Sequence, residues 1–128
     1  MEFSECPVAA TLEVIGGKWK PLILFQLRDR PLRFSELRRM VPEATQKMLT
    51  QQLRDLERDG IIRRKVYAVV PPKVDYSLTD YGQTLKPLLA LMCAWGSRHR
   101  SRATARRRET KAARPERSVP RNVSGLKS

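Results

Sequence analysis

Residues 45–60 read Thr45-Gln46-Lys47-Met48-Leu49-Thr50-Gln51-Gln52-Leu53-Arg54-Asp55-Leu56-Glu57-Arg58-Asp59-Gly60, and the chain continues Ile61-Ile62-Arg63-Arg64-Lys65-Val66-Tyr67. Past Pro71-Pro72 comes Lys73-Val74-Asp75-Tyr76-Ser77-Leu78. The first stretch has helical periodicity, with one apolar stripe at Leu49, Leu53 and Leu56, an N-cap residue at Thr45 and a stop at Gly60. Its other face carries Gln46, Lys47, Thr50, Gln51 and Arg54, side chains that donate and accept in the patterns presented by base edges and phosphates. The second stretch alternates as two short strands around a stiff Val70-Pro71-Pro72 tip: Val74, Tyr76 and Leu78 share one face and Lys73, Asp75 and Ser77 the other. A polar-faced helix running into a basic hairpin predicts a winged helix-turn-helix, a mainly α fold with a small β-hairpin wing, and a surface for duplex DNA.

The segments upstream supply the rest of such a domain. Cys6-Pro7 opens a helix with proline at its first position and Val8, Leu12 and Ile15 as its apolar face, closed by Gly16-Gly17. Lys18–Leu27 predicts a second helix on Trp19, Leu22, Ile23 and Leu27, with Pro21 tolerated in its first turn. Arg28-Asp29-Arg30-Pro31 is a turn, and Leu32-Arg33 a brief strand. Phe34 to Met40 then forms a third helix, with Phe34, Leu37 and Val41 inward and Pro42 closing it. The residues between Pro42 and Thr45 are the turn of the helix-turn-helix. Downstream, Thr79 caps a last helix from Asp80 to about Arg98, whose stripe of Tyr81, Leu85, Leu88, Leu89, Met92 and Trp95 exceeds the needs of so small a core. That surplus predicts a dimer contact. Pro87 should kink this helix or break one of its hydrogen bonds.

At 128 residues the chain suits one domain. Its net charge of +13 is unevenly placed: residues 1–97 carry 15 Lys+Arg against 11 Asp+Glu, and residues 98–128 carry 11 against 2. Residues 98–128 hold one Leu, two Val and no aromatic residue, too little apolar surface to offset ordering. They are expected to be a disordered basic tail, separate from a folded domain over residues 1–97 and able to follow phosphates without sequence preference. No apolar run suits a bilayer, and the acidic start Met1-Glu2-Phe3-Ser4-Glu5 is unlike a signal peptide, which predicts a cytoplasmic protein. Cys6 and Cys93 lie far apart, and His99 is the single histidine, so neither a structural zinc nor another metal is expected. With no Ser/His/Asp set, paired-carboxylate motif or phosphate-cradling glycine loop, no enzyme and no cofactor are predicted.

Several blocks together resemble the HxlR family of bacterial transcriptional regulators, relatives of the MarR group. They are Cys6-Pro7-Val8, Leu12-Glu13-Val14-Ile15-Gly16-Gly17-Lys18-Trp19-Lys20, Arg33-Phe34-Ser35-Glu36-Leu37-Arg38-Arg39, Gln46 through Glu57, and Val70 through Thr79. The resemblance covers about residues 6–96 and implies a homodimer joined through first and last helices, with one winged helix-turn-helix per subunit. It also places Gln46, Lys47, Thr50, Gln51 and Arg54 toward the groove, in agreement with the face chosen from periodicity.

In the wing, strand alternation separates Arg63 and Lys65 from Arg64. Arg63, Lys65 and Lys73 are the favoured DNA contacts, with Arg64 packed at the hairpin's other face. Arg33, Arg38 and Arg39 are weaker phosphate candidates. Leu85, Leu88, Leu89, Met92 and Trp95 are the candidate dimer contacts. Cys6, at a helix N-terminus, is the candidate redox sensor: the macrodipole favours its thiolate, while Glu2 and Glu5 act against it. In some relatives with the same Cys-Pro-Val start the matching cysteine senses oxidants or electrophiles and dimers are cross-linked through a second thiol, for which the resemblance makes Cys93 the candidate across subunits. The inert alternative is a packed Cys6.

These readings converge on a sequence-specific regulator, a repressor in preference to an activator, that binds double-stranded DNA at a pseudo-palindromic operator as a homodimer. Two other readings compete with it. One is a non-sequence-specific nucleic-acid binder driven by the basic tail; the other is a winged-helix module that docks a different protein on Leu88 and Trp95. The effector, whether small molecule or oxidant, is not legible.

Overall fold

The computed structural model describes residues 5–112, and these divide into two units between Ala90 and Leu91. The first unit contains helices α1 (Pro7–Ile15), α2 (Trp19–Gln26), α3 (Phe34–Met40), α4 (Gln46–Arg58) and α5 (Asp80–Gln83), and strands β1 (Leu32–Arg33), β2 (Ile62–Tyr67) and β3 (Lys73–Leu78). Helix α6 (Lys86–Ala112) begins in the first unit and supplies the described part of the second.

Local chemistry accounts for most element ends. Pro7 opens α1 after an extended Cys6, where its missing N–H costs nothing. The Arg33 N–H donates to Glu36 Oε1 at 2.9 Å, tying down the first turn of α3. Thr45 Oγ1 accepts the Met48 N–H at 3.1 Å, as expected of an N-cap on α4. Beyond Asp59 the chain leaves α4 through Gly60 in the left-handed region (φ +75°), a conformation that a side chain would strain.

The core joins Ile15 of α1, Ile23 and Leu24 of α2, Leu37 of α3, Leu49, Leu53 and Leu56 of α4, and Ile61, Ile62 and Leu78 around the sheet. Complete burial of each such side chain contributes about 1.5–3 kcal/mol before entropy is counted. The sheet is antiparallel in the order β1-β3-β2. Its register sets Ile62 opposite Leu78, Arg64 opposite Tyr76, Lys65 opposite Asp75 and Tyr67 opposite Lys73, while β1 pairs Leu32 with Tyr76. The buried ends of Ile62, Leu78 and Leu32 define its inner face.

Three expectations change. The single helix from Asp80 is two: α5 ends at Gln83, and α6 restarts at Lys86, so Pro87 falls in a first turn where it forfeits no hydrogen bond. Leu89 is 2% exposed in the core of its own subunit and is unavailable as a dimer contact; Leu85 and Leu88 pack partly against that core. Lastly, α6 continues to Ala112, so residues 98–112 are helical where disorder was expected from Arg98. Low hydrophobicity removes a reason to fold but not a reason to stay helical: arginine and alanine are strong helix formers, and a segment that prolongs an existing helix needs no new nucleus. The remainder of the expected tail, 113–128, lies outside the described residues.

The crossover from wing to α5 is tight. Thr79 donates through its N–H to the Ile61 carbonyl at 3.0 Å and through Oγ1 to the Gly60 carbonyl at 2.7 Å, while Oγ1 accepts the Gly82 N–H at 2.9 Å. Gly82 is buried so closely on the Ile61 carbonyl that a Cβ there would collide with backbone. Gly82→Ala is therefore expected to destabilise the domain by about 1–3 kcal/mol through overpacking, read as a lowered urea midpoint, whereas Gly96→Ala, inside α6 with open space around it, should not lower the midpoint, alanine being the better helix former.

Candidate nucleic-acid interface

Helix α4 owes its orientation to the leucine stripe beneath it. With Leu49, Leu53 and Leu56 buried, Lys47, Gln51, Arg54 and Arg58 recur at three- and four-residue spacing on the exposed opposite face. Gln46 is also exposed, and its Oε1 accepts from Arg38 at 3.4 Å, linking α3 to the start of α4. Thr50 is half-buried on the flank that meets the wing. The side chains selected from sequence thus occupy one helix, but not one environment.

On the flank away from the wing, Asp55 is a hub. Its carboxylate accepts the Gln51 Nε2 at 3.0 Å and lies 3.6 Å from Lys20 Nζ of α2 and 3.2 Å from Arg58 of the next turn. The Gln51 hydrogen bond, followed by the Lys20 and Arg58 charges, holds its carboxyl below the usual aspartate value. Lys20 and Asp55 are largely covered, and their pair bridges α2 to α4 beside the leucine stripe. One amide hydrogen of Gln51 is held by Asp55, which restrains the side chain and leaves its oxygen and its second N–H for another partner. Glu36 plays a smaller version of this role in α3: the Arg33 N–H and then Arg30 lower its pKa.

The wing presents cations on both faces. Lys65 and Lys73 each set an ammonium 4.9 Å from the Tyr67 ring centroid, and the register gathers Arg33, Lys65 and Asp75 on that outer face, with Arg33 4.0 Å from Asp75. Arg63 is exposed, and Lys73 is half-buried against its aromatic neighbour. Arg64, expected to be packed, is exposed instead and stands on the inner face beside α4, where only the outer end of the hairpin extends past the leucines. The tip is apolar and open, with Val70 99% exposed.

Sequence reasoning passed over Arg58 and Lys20, and it ranked the wing candidate Arg64 behind Arg63 and Lys65. Alternation alone places Arg64 on the α4 side, so the signal for it was present; the pairing of Lys20 with Asp55 is tertiary and left no local trace. Of the other candidates, Cys6 is half-buried at the N-cap of α1, and Cys93 is exposed on α6; both are free thiols. Met92 and Trp95 are exposed, and Trp95 stacks on His99 at 5.2 Å. On α1, Val8 and Leu12 are exposed.

A helical core in which α4 follows α3 across a short turn and exposes a polar face, followed by a basic antiparallel hairpin, is a winged helix-turn-helix. The chain belongs to the family described as HxlR-like helix-turn-helix, whose profile matches residues 14–104. It is 54% identical over 101 residues to the HTH-type transcriptional regulator YdeP of Bacillus subtilis (strain 168), with 79% of each chain covered. To YtcD of the same organism it is 59% identical over 95 residues, covering 74% of this chain and 75% of that one. Among solved structures, the redox regulator HypR in its oxidized form matches with TM-score 0.70 and 55% identity, over 72% of this chain and 95% of HypR.

Because folding lowers the Asp55 pKa, the ionised carboxylate stabilises the fold at all pH values above the ordinary aspartate pKa, and that stabilisation is lost as pH falls through the lowered value. Asp55→Asn should accordingly melt below the parent at neutral pH, with the gap closing in the acid range below about pH 4. A gap that stays constant across that range in thermal melts monitored by circular dichroism would remove the carboxylate from the helix-bracing role.

Proposed function

We propose that the protein is a cytoplasmic transcriptional regulator that recognises a pseudo-palindromic operator as a homodimer and represses by covering the promoter. The observation that carries this reading is the exposed Lys47–Gln51–Arg54 face, braced through Asp55 and flanked by a cationic wing. A helix held this rigidly, with a restrained amide, loses little freedom on entering a major groove. In a two-fold dimer the two recognition helices would meet successive grooves about 34 Å apart. Exposed apolar side chains support the dimer: Val8 and Leu12 on α1, and Leu91, Met92 and Trp95 on α6 are surface that a second copy would cover.

Thiol oxidation is the input favoured by the comparisons, since one similar structure is a redox regulator and another is YodB of B. subtilis treated with diamide, 36% identical with TM-score 0.62 over 73% of this chain and 93% of YodB. Here the step would join Cys6 of one subunit to Cys93 of the other. An oxidant such as diamide would take up the two electrons and two protons as two thiols become one disulfide.

Two measurements test the proposal. Fluorescence anisotropy with the DNA upstream of the protein's own gene should show a preference over a shuffled duplex of about a thousandfold, persisting near 150 mM salt. Shortening the chain to residues 1–97 should weaken both complexes but keep that preference; loss of all binding with the tail would instead identify a non-specific binder. For the thiols, diamide should produce a dimer band on a non-reducing gel that vanishes in both Cys6→Ser and Cys93→Ser. A band unaffected by either substitution would remove this pair from the mechanism.

A further inference from the structure

Between the recognition helix and the wing lies an open cleft of about 330 Å³, lined by Thr50, Leu53, Arg54 and Glu57 of α4 and by Arg64 and Tyr76 of the hairpin. Two guanidinium groups from different elements thus border one recess, together with two hydroxyl groups, over an apolar base at Leu53. Elsewhere in the domain Arg28, Arg30, Arg33 and Arg58 each have a carboxylate within 4.0 Å, whereas Arg38, Arg39 and Arg63 have none among the described residues. Arg54 and Arg64 have no such partner among the described residues, even though Glu57 borders the same recess. A concave site rich in donors, with uncompensated positive charge and forked guanidinium geometry, suits a tetrahedral oxyanion.

We infer that this cleft is a phosphate site in which Arg54 and Arg64 clamp one phosphodiester of the DNA backbone between recognition helix and wing. The inference rests on the DNA-binding reading above and divides the labour on α4. Arg54 and Thr50, on the wing flank, hold backbone and fix the depth and angle of the helix in the groove, while Lys47 and Gln51, farther round, are left for base edges. Glu57 opposes the bound phosphate, which limits affinity and leaves room to raise it.

The experiment uses full-length protein, the native upstream duplex and its shuffled counterpart, with anisotropy across a salt series. Because a phosphate contact carries no sequence information, Arg64→Gln should weaken binding to both duplexes equally, about tenfold, and reduce the slope of log affinity against log salt by about 0.9. Arg64→Lys should keep the slope and recover part of the affinity, since it restores charge but not the fork. Glu57→Gln should tighten both complexes severalfold, roughly the value of one nearby repulsive charge. Parental affinity and slope in Arg64→Gln, with an unchanged melting temperature, would overturn the inference, and so would a loss confined to the native duplex, which would mean base readout. These outcomes hold even if the two duplexes bind equally, so a failed operator assignment is distinguishable from a failed phosphate site. Inorganic phosphate at matched ionic strength should compete no better than chloride. If it displaces DNA from the parent but not from Arg64→Gln, the cleft holds a free anion and the backbone assignment falls.

Discussion

The interaction on which the arrangement of this domain depends is the return of the chain at Thr79 onto the exit of the recognition helix. An isolated two-stranded hairpin is marginal in water, and β1 adds only two residues to it. What fixes the wing against α4 is that Thr79 bonds the Gly60 and Ile61 carbonyls while Gly82 comes down on the same peptide. Those carbonyls lie just past the end of α4, so one threonine both caps α5 and fixes the path of the chain as it leaves α4. The register of β2 on β3 follows from that closure, and with it the position of each cation along the hairpin.

The second constraint is electrostatic and lies on the opposite flank. Lys20 and Arg58 neutralise Asp55 from two sides, leaving Gln51 to bond it as a dipole rather than a charge. Removing Lys20 would leave a largely covered carboxylate short of its inter-helix partner, so a residue on α2 bears on how α4 presents Gln51 on its exposed face. The domain thus brackets its recognition helix: backbone closure on the wing side, a charge hub on the α2 side, and leucines below.

How much of this was legible in the chain depends on the range of the interaction. The four helices through Arg58 and the strands of the wing followed from periodicity, and Thr45 from its cap chemistry, because those signals are local. The break at Thr84-Leu85 was half-legible: Pro87 announced a conflict, but whether a helix kinks or restarts depends on what Leu85 and Leu89 can reach in the core. Leu89 was misassigned for the same reason, since an apolar stripe does not say which subunit covers it. The helical run past Arg98 was missed because charge was weighed and propensity was not. Arg64 was set on the correct face but given the wrong fate: the inner face of a sheet is core only as far as α4 covers it, and Arg64 lies past that limit while remaining exposed.

The hairpin's basicity has a consequence unrelated to nucleic acid. In the order β1-β3-β2, strand β2 is an outer strand with one row of backbone N–H and C=O groups unpaired within the sheet. Such an edge is a template on which another strand can add, and the tip beside it, with Val69 and Val70 exposed, would favour that addition. Three consecutive cations, Arg63, Arg64 and Lys65, lie along this edge, so an approaching second copy would bring like charges into register opposite one another. The wing is thereby kept from polymerising by the same charges that make it basic, which ties the solubility of the free protein to its surface for an anionic partner.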